Sequence, residues 1–318
     1  MKKRKRKLVI FGIMLAIAII LVQYSINLLN LLNNQLVESQ IHPINNTELF
    51  YYDTTRSTPT YRDANFNMYS QQALLINLTT NEVIFEHGAN ERVNPASLTK
   101  IMTILVGIEQ AQHDTMTVKA DFTELILANA SVAGFENGEE RSLMDVLYGA
   151  MLPSGADATS TIAYNIAGSY EAFVQLMNER ANMLGMKNTN FTNASGLHNE
   201  FHYTTAHDIA ILLRYALGNP IFREIFTTKT HAFTNFEGEN RMMTSTLFAN
   251  MQTTEFKGGQ IVGGRTGFTN EAGRCLASLA TNGVHEFILI TFGAVQNETN
   301  QYTHITDAFT IYEYFLNN

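Results

Sequence analysis

Ser97 and Lys100 stand three residues apart in the stretch Asn94-Pro95-Ala96-Ser97-Leu98-Thr99-Lys100. On a helix that spacing puts both side chains on one face, about one turn from each other. A serine hydroxyl is a poor nucleophile until a neighbouring base takes its proton. A lysine can be that base when burial or a nearby cation lowers its pKa. Pro95 suits a helix start, so Ser97 is expected near the positive end of the helix dipole, where a developing oxyanion is stabilised. Two further polar groups follow downstream. One is Ser154 in Pro153-Ser154-Gly155-Ala156-Asp157-Ala158, and the other is Arg265 with Thr266 in Gly264-Arg265-Thr266-Gly267-Phe268-Thr269. Taken singly, the S-x-x-K tetrad reads as a solvated turn of helix. Ser154 reads as a helix N-cap, and 264–269 as a Gly-kinked edge strand. Their order along the chain carries more than any one of them.

The elements that must position these groups follow from periodicity. Residues 70–77 and 82–86 read as two strands joined by a turn at 78–81. Residues 97 to about 110 read as a helix with Leu98, Ile101, Met102, Leu105 and Ile108 on one apolar stripe. Further helices are expected at 143–152, 156–167, 170–184 and 205–217. Gly185 and the Gly218-Asn219-Pro220 run act as stops, and Thr204 or Thr205 as a cap. Strands return at 261–267, 274–280 and 285–292, and a helix at 304–316 closes the chain. Strands at both ends with helices between them indicate an α+β domain spanning 68–318.

The chain has 318 residues and a formal net charge of −8, which argues against a generic nucleic-acid binder. Basic residues are concentrated in Lys2-Lys3-Arg4-Lys5-Arg6-Lys7, and residues 8–22 then carry no charge. A basic flank before an apolar core is a secretory signal or signal anchor. No clear small-x-small cleavage site follows, so residues 1–31 read as an uncleaved membrane anchor, with a cleaved signal as the alternative. The positive-inside rule puts Met1 in the cytoplasm and the rest of the chain outside. Residues 32–67 are polar, rich in Asn, Thr and Ser, and read as a linker. Cys275 is the single cysteine, so no intramolecular disulfide forms; it reads as a small core residue. An exported chain without disulfides fits a bacterial cell surface.

An S-x-x-K, then a Ser between helices, then a basic-Thr-Gly on a strand is the signature order of the serine penicillin-recognising enzymes. The chain resembles the serine-type D-alanyl-D-alanine carboxypeptidases, the low-molecular-mass penicillin-binding proteins of peptidase family S11. The resemblance includes 94–103, 147–158, the Asn178-Glu179-Arg180 region, Phe191-Thr192-Asn193-Ala194-Ser195-Gly196-Leu197-His198, 203–208 and 264–276. It implies a β-lactamase/transpeptidase-like fold, with an antiparallel sheet flanked by helices plus an all-helical lobe. It also implies removal of the terminal D-alanine from peptidoglycan stem peptides ending in D-Ala-D-Ala, without a cofactor or metal. Ser97 would attack the penultimate D-alanine carbonyl, Lys100 would be its base, and Ser154 would relay a proton to the leaving D-alanine. Arg265 and Thr266, with Gly267 and Phe268 on the same strand, would bind substrate. The first two would hold the terminal carboxylate, and the N–H groups of Ser97 and Phe268 would form the oxyanion hole. β-Lactams would acylate Ser97 and leave slowly.

Two positions depart from the family pattern. Ala156 stands where the second motif normally has Asn, which implies a turnover reduced by roughly 10–1000-fold through one lost polar contact. Arg265 stands where the third motif normally has Lys. It retains the charge for a carboxylate but cannot relay protons. Two alternatives stay open: a catalytically weak or silent cell-wall-binding homologue, which Ala156 favours, and a β-lactamase on the same scaffold, for which no dedicated deacylating base is evident. His198, His202 and His207 fall close together, but three or four convergent ligands cannot be assembled from them, so no metal site is expected. Asp208 reads as a dipole contact at a helix start, and Glu139-Glu140 as a solvated turn beside Gly138.

Overall fold

The computed structural model describes residues 67–119, 130–235 and 237–317. The expected anchor at 1–31 and all of the linker at 32–67 except Asn67 lie outside the described residues. Among the described residues, no helix is long and apolar enough to cross a membrane.

A six-stranded antiparallel sheet is built from both ends of the chain. Its strands are β1 (Gln72–Asn77), β2 (Glu82–His87), β7 (Glu255–Phe256), β8 (Gly259–Thr269), β9 (Gly273–Thr281) and β10 (Glu286–Ala294), in the order β2-β1-β10-β9-β8-β7. Residues 73–76 of β1 are an unbroken apolar run because helices cover both faces, and every residue of the strand is buried. On one face, Leu75, Leu276 and Leu289 pack with Ile305, Ala308 and Ile311 of the closing helix. On the other face the sheet meets the helix Ala206–Leu217.

The helical region centres on α1 (Thr99–Gln110). It packs against α2 (Leu143–Met151), α3 (Ala156–Ala167) and α4 (Tyr170–Met183). Local chemistry fixes the helix ends. The Ser142, Ser169 and Thr205 hydroxyls each accept a first-turn N–H, the last opening α5 (Ala206–Leu217). Gly168 closes α3 in the left-handed conformation at φ 74°. The α+β class expected from the sequence is the class observed.

Several elements differ from the sequence reading. The Asn219-Pro220 pair, read as a stop, also opens α6 (Pro220–Thr227): Asn219 accepts from Ile221 and Phe222 N–H, and Pro220 sits in the first turn. Two small strand pairs carry no strong sequence pattern: β3 (Thr115–Thr117) with β4 (Glu140–Ser142), and β5 (Thr230–Thr234) with β6 (Asn240–Thr244). Glu139 is not a solvated residue. It is buried against Arg141 at 2.5 Å and accepts the Glu136 N–H. The Arg141 guanidinium lies over both Phe135 and Phe233, joining the 131–139 segment to the β5–β6 hairpin. The chain ends in α7 (Thr303–Leu316). Its Asp307 accepts from Tyr69 N–H, Ser70 N–H and the Ser70 hydroxyl, which pins the start of the sheet.

Candidate active site

Ser97 does not lie in α1. It occupies a 3-10 turn, Ala96–Leu98, with Pro95 at its cap position and α1 beginning at Thr99. Three features hold this turn. The Asn94 side chain accepts the Ala96 N–H at 3.0 Å. Gly196, at φ 85°, lies so close that a side chain there would run into the Ala96 carbonyl. Gly267 of β8 approaches from the other side, and a Cβ on it would come within 3.0 Å of the Ser97 nitrogen. Ala96 itself is held at φ 45°, a left-handed conformation that costs a non-glycine residue about 1–2 kcal/mol. The backbone at Ser97 is therefore fixed by its surroundings rather than by helix propensity.

The Ser97 hydroxyl lies between two partners. Lys100 Nζ is 3.3 Å from Ser97 Oγ, and Ser154 Oγ is 3.1 Å from it. Burial holds the Lys100 amine well below the usual lysine value, the Arg265 guanidinium pushes it the same way, and Asp157 opposes both. Desolvation and a neighbouring cation are the two effects that turn an ammonium into a base. Lys100 Nζ also donates to the Ser195 carbonyl at 2.5 Å.

Ser154 is not the cap of α3; Gly155 occupies that position. Ser154 is instead held at φ 70°, between α2 and α3. Its hydroxyl accepts from Arg265 Nη2 at 2.6 Å, which leaves its own proton for Ser97 Oγ.

Arg265 departs from the expectation that it grips a carboxylate. Its side chain has no solvent exposure. Besides Ser154, Nη1 donates to the Met151 carbonyl at 2.7 Å and Nε to the Ser97 carbonyl at 3.3 Å. Met151 is the last residue of α2, whose terminal carbonyls lack helical partners and carry the negative end of the dipole. That acceptor draws the guanidinium inward, behind Ser154. Burial lowers it to about 9, so it stays cationic at neutral pH.

The other third-motif residues face different ways. The Thr266 hydroxyl is 2.7 Å from that of Thr246. Phe268 is half-exposed, with Arg274 stacked 4.6 Å over its ring. β7 pairs with β8 only at Gln260 and Gly259. The outer edge of 264–269 therefore has no strand partner among the described residues.

A cleft of about 350 Å³ opens over these groups, lined by Ser97, Lys100, Ser154, Ala156, His198 and Phe268 among others. Asp157, next in the chain to Ala156, braces the segment that follows the lining residues Ala130 and Ser131. Its buried carboxylate accepts from the N–H groups of Ala133, Gly134 and Phe135. Asp157, Asn193 and Ser195 are the positions that the motif reading left without a role. The Asn193-x-Ser-Gly run carries the one available signal, a side-chain-braced turn.

The histidines have other work. His202 Nδ1 accepts the Thr192 N–H at 2.9 Å, so its Nε2 carries the proton toward the Thr99 hydroxyl at 2.8 Å. Thr99 in turn donates to the Ala96 carbonyl at 2.8 Å. Burial, with His198 nearby, lowers His202 to about 4 and keeps this tautomer neutral. Among the described residues, no group of three or more His, Cys, Asp or Glu side chains is placed to hold a metal ion. Asp208 accepts from Asn188 N–H and Thr189 Oγ1 at 2.8 Å each, tying the 188–189 loop to α5. Cys275 is buried, and burial pushes its thiol up to about 12.

The family model described as D-alanyl-D-alanine carboxypeptidase, peptidase S11, matches residues 55–296. The chain is 36% identical over 251 residues to the D-alanyl-D-alanine carboxypeptidase DacF of Bacillus subtilis, covering 77% of this chain and 63% of that one. It is 31% identical to DacC of Escherichia coli, covering 70% of this chain and 56% of that one. It thus spans less than two thirds of the length of either relative. Among solved structures, the Streptomyces K15 DD-transpeptidase superposes with a TM-score of 0.69 at 25% identity, covering 78% of this chain and 97% of that one. A D-alanyl-D-alanine carboxypeptidase from Mycobacterium tuberculosis superposes at 0.65, also at 25% identity, covering 76% of this chain and 91% of that one.

Proposed function

The chain belongs to the D-alanyl-D-alanine carboxypeptidase family, peptidase S11, and we propose that it is a serine D,D-carboxypeptidase trimming peptidoglycan stem peptides through an acyl-enzyme on Ser97. The observation that carries this reading is the Ser97 hydroxyl lying 3.3 Å from a desolvated lysine amine and 3.1 Å from a second serine hydroxyl. Lys100 takes the Ser97 proton as Oγ bonds to the penultimate D-alanine carbonyl carbon. The N–H groups of Ser97 and Phe268 receive the oxyanion. Collapse breaks the peptide bond, and the proton passes by way of Ser154 to the departing D-alanine nitrogen. Water then cleaves the ester and restores Ser97.

Arg265 enters this scheme as the donor that orients Ser154 and as a buried positive charge, with the terminal carboxylate left to the Thr266 hydroxyl. β-Lactams follow the first half of the same path and stall as acyl-enzymes. The basic run Lys2 to Lys7 and the uncharged residues 8–22 support a membrane-anchored enzyme facing the outside of a bacterial cell. Trimming at that location acts on the cell wall and through it on cell shape. Ala156 supports a second reading, a silent wall-binding homologue, because its methyl puts no polar group into the cleft.

Incubation of the full chain with a fluorescent penicillin tests the first step. A stoichiometric covalent label mapping to the peptide that contains Ser97 is expected. Folded protein that stays unlabelled at high dose and long incubation would remove the nucleophile from the scheme.

Arg265→Leu gives a second expected outcome, read as the pH dependence of the labelling rate. Lys100 must be neutral to accept a proton, and the Arg265 charge disfavours its ammonium form. Without that charge the ammonium persists to higher pH, so the acid limb of the rate profile moves up. The plateau falls by about 10–100-fold as Ser154 loses its donor. A limb that stays in place or moves down contradicts this coupling.

A further inference from the structure

The Lys100 amine is held by a backbone carbonyl, and one side chain braces the segment that supplies it. The 2.5 Å contact from Nζ to the Ser195 carbonyl is shorter than the 3.3 Å contact to Ser97 Oγ. Ser195 lies in the tight turn 193–197. Asn193 Oδ1 accepts from Gly196 N–H at 2.7 Å, Ser195 N–H at 3.2 Å and the Ser195 hydroxyl at 3.3 Å. Its Nδ2 donates to the Leu197 carbonyl at 2.9 Å. Apart from Lys100 itself, neighbouring helices reach this turn at Ala194: the Tyr170 hydroxyl accepts its N–H at 3.1 Å, and Thr103 Oγ1 donates to its carbonyl at 2.7 Å. Ala156 also lines this cleft but brings only a methyl group, so it takes no part in orienting the amine.

We propose that Asn193 is a positioning residue for acylation. By bracing the 193–197 turn it fixes the Ser195 carbonyl, and that carbonyl turns the lone pair of Lys100 toward Ser97. A neutral amine has one lone pair and two N–H groups, so anchoring one N–H restricts where the lone pair points. The proposal rests on reading Ser97 as the acylated nucleophile.

Its pH consequence has a definite sign. A carbonyl accepting from Nζ favours the ammonium over the amine. Loosening the turn therefore lowers the plateau rate through misorientation and moves the acid limb to lower pH. The other charged groups around the amine are Arg265 from β8 and Asp157 from α3. His198 and Glu271 stand farther out along the cleft. A substitution at 193 alters none of these.

The experiment follows labelling rates of the full chain with a fluorescent penicillin from acid to alkaline pH, for the wild type, Asn193→Ala and Asn193→Asp. Wild-type protein that fails to label removes the parent reading and is thereby distinguished from failure of this inference. Asn193→Ala is expected to lose about 10–100-fold in plateau rate, with its acid limb at lower pH. Asn193→Asp keeps the acceptor for the Gly196 and Ser195 donors and loses only the bond to the Leu197 carbonyl, so its plateau is expected within a few-fold of wild type. Its added negative charge favours the ammonium and moves the limb to higher pH. A fold defect scales the rate equally at every pH and leaves the limb in place. A folded Asn193→Ala protein with an unmoved limb overturns the proposal. An Asn193→Asp protein that loses about 10–100-fold in plateau rate despite its retained acceptor does the same, and decides the matter if the alanine variant does not fold.

Discussion

Ser97→Ala is expected to abolish covalent labelling by a fluorescent penicillin and leave the protein folded. The substitution removes Oγ, the one atom that Lys100 and Ser154 both face. Neither partner is stranded by its loss. Lys100 keeps the Ser195 carbonyl, and Ser154 keeps Arg265. The backbone of the 3-10 turn is fixed by Asn94, Gly196 and Gly267, none of which touches the deleted atom. The stability change is therefore about 1 kcal/mol or less, the usual net value of one hydrogen bond. Gel fluorescence and a thermal melt on the same sample read both halves. Labelling that persists in Ser97→Ala would move the nucleophile elsewhere, with Ser154 the first residue to examine.

Lys100→Met is expected to slow acylation by about 10³-fold, within the range that a positioned general base supplies. Methionine nearly matches the volume of the buried stem, so packing around α1 is retained. The amine it replaces is desolvated, and burying an ionisable group is costly unless it is fully paired. The melting temperature is accordingly expected to stay level or rise while the rate collapses. That opposition of stability and activity marks a residue kept for chemistry. A labelling rate within tenfold of wild type would show that Lys100 is not the base.

Parts of this site were legible in the sequence because they are local. The S-x-x-K spacing puts Lys100 within reach of Ser97 across one turn of chain. The 156–167 helix, a cap at Thr204 or Thr205 and the Gly185 stop follow from periodicity and end chemistry alone, and the structure selects Thr205 as the cap. Other parts depend on contacts across more than a hundred residues. The inward direction of Arg265 is set by the Met151 carbonyl at the end of α2, 114 positions away. The family resemblance had assigned Arg265 to a substrate carboxylate, and nothing local to 264–269 signals the inward turn. The left-handed backbone at Ser154 displaced the expected cap by one residue, to Gly155. Glu139 looked solvated beside Gly138 because its partner Arg141 and the covering Phe233 come from elements too short to announce themselves. Ser195 contributes through its carbonyl, a group that every residue has and no motif can flag.

Turnover is the property that separates a working carboxypeptidase from a silent wall-binding homologue. The most direct measurement is D-alanine release from a peptide ending in D-Ala-D-Ala, with Ser97→Ala as the control. The proposed mechanism predicts many equivalents of D-alanine per enzyme, one from each peptide, and none above background from the variant. Wild-type protein that is labelled by penicillin at Ser97 but releases no D-alanine would contradict it.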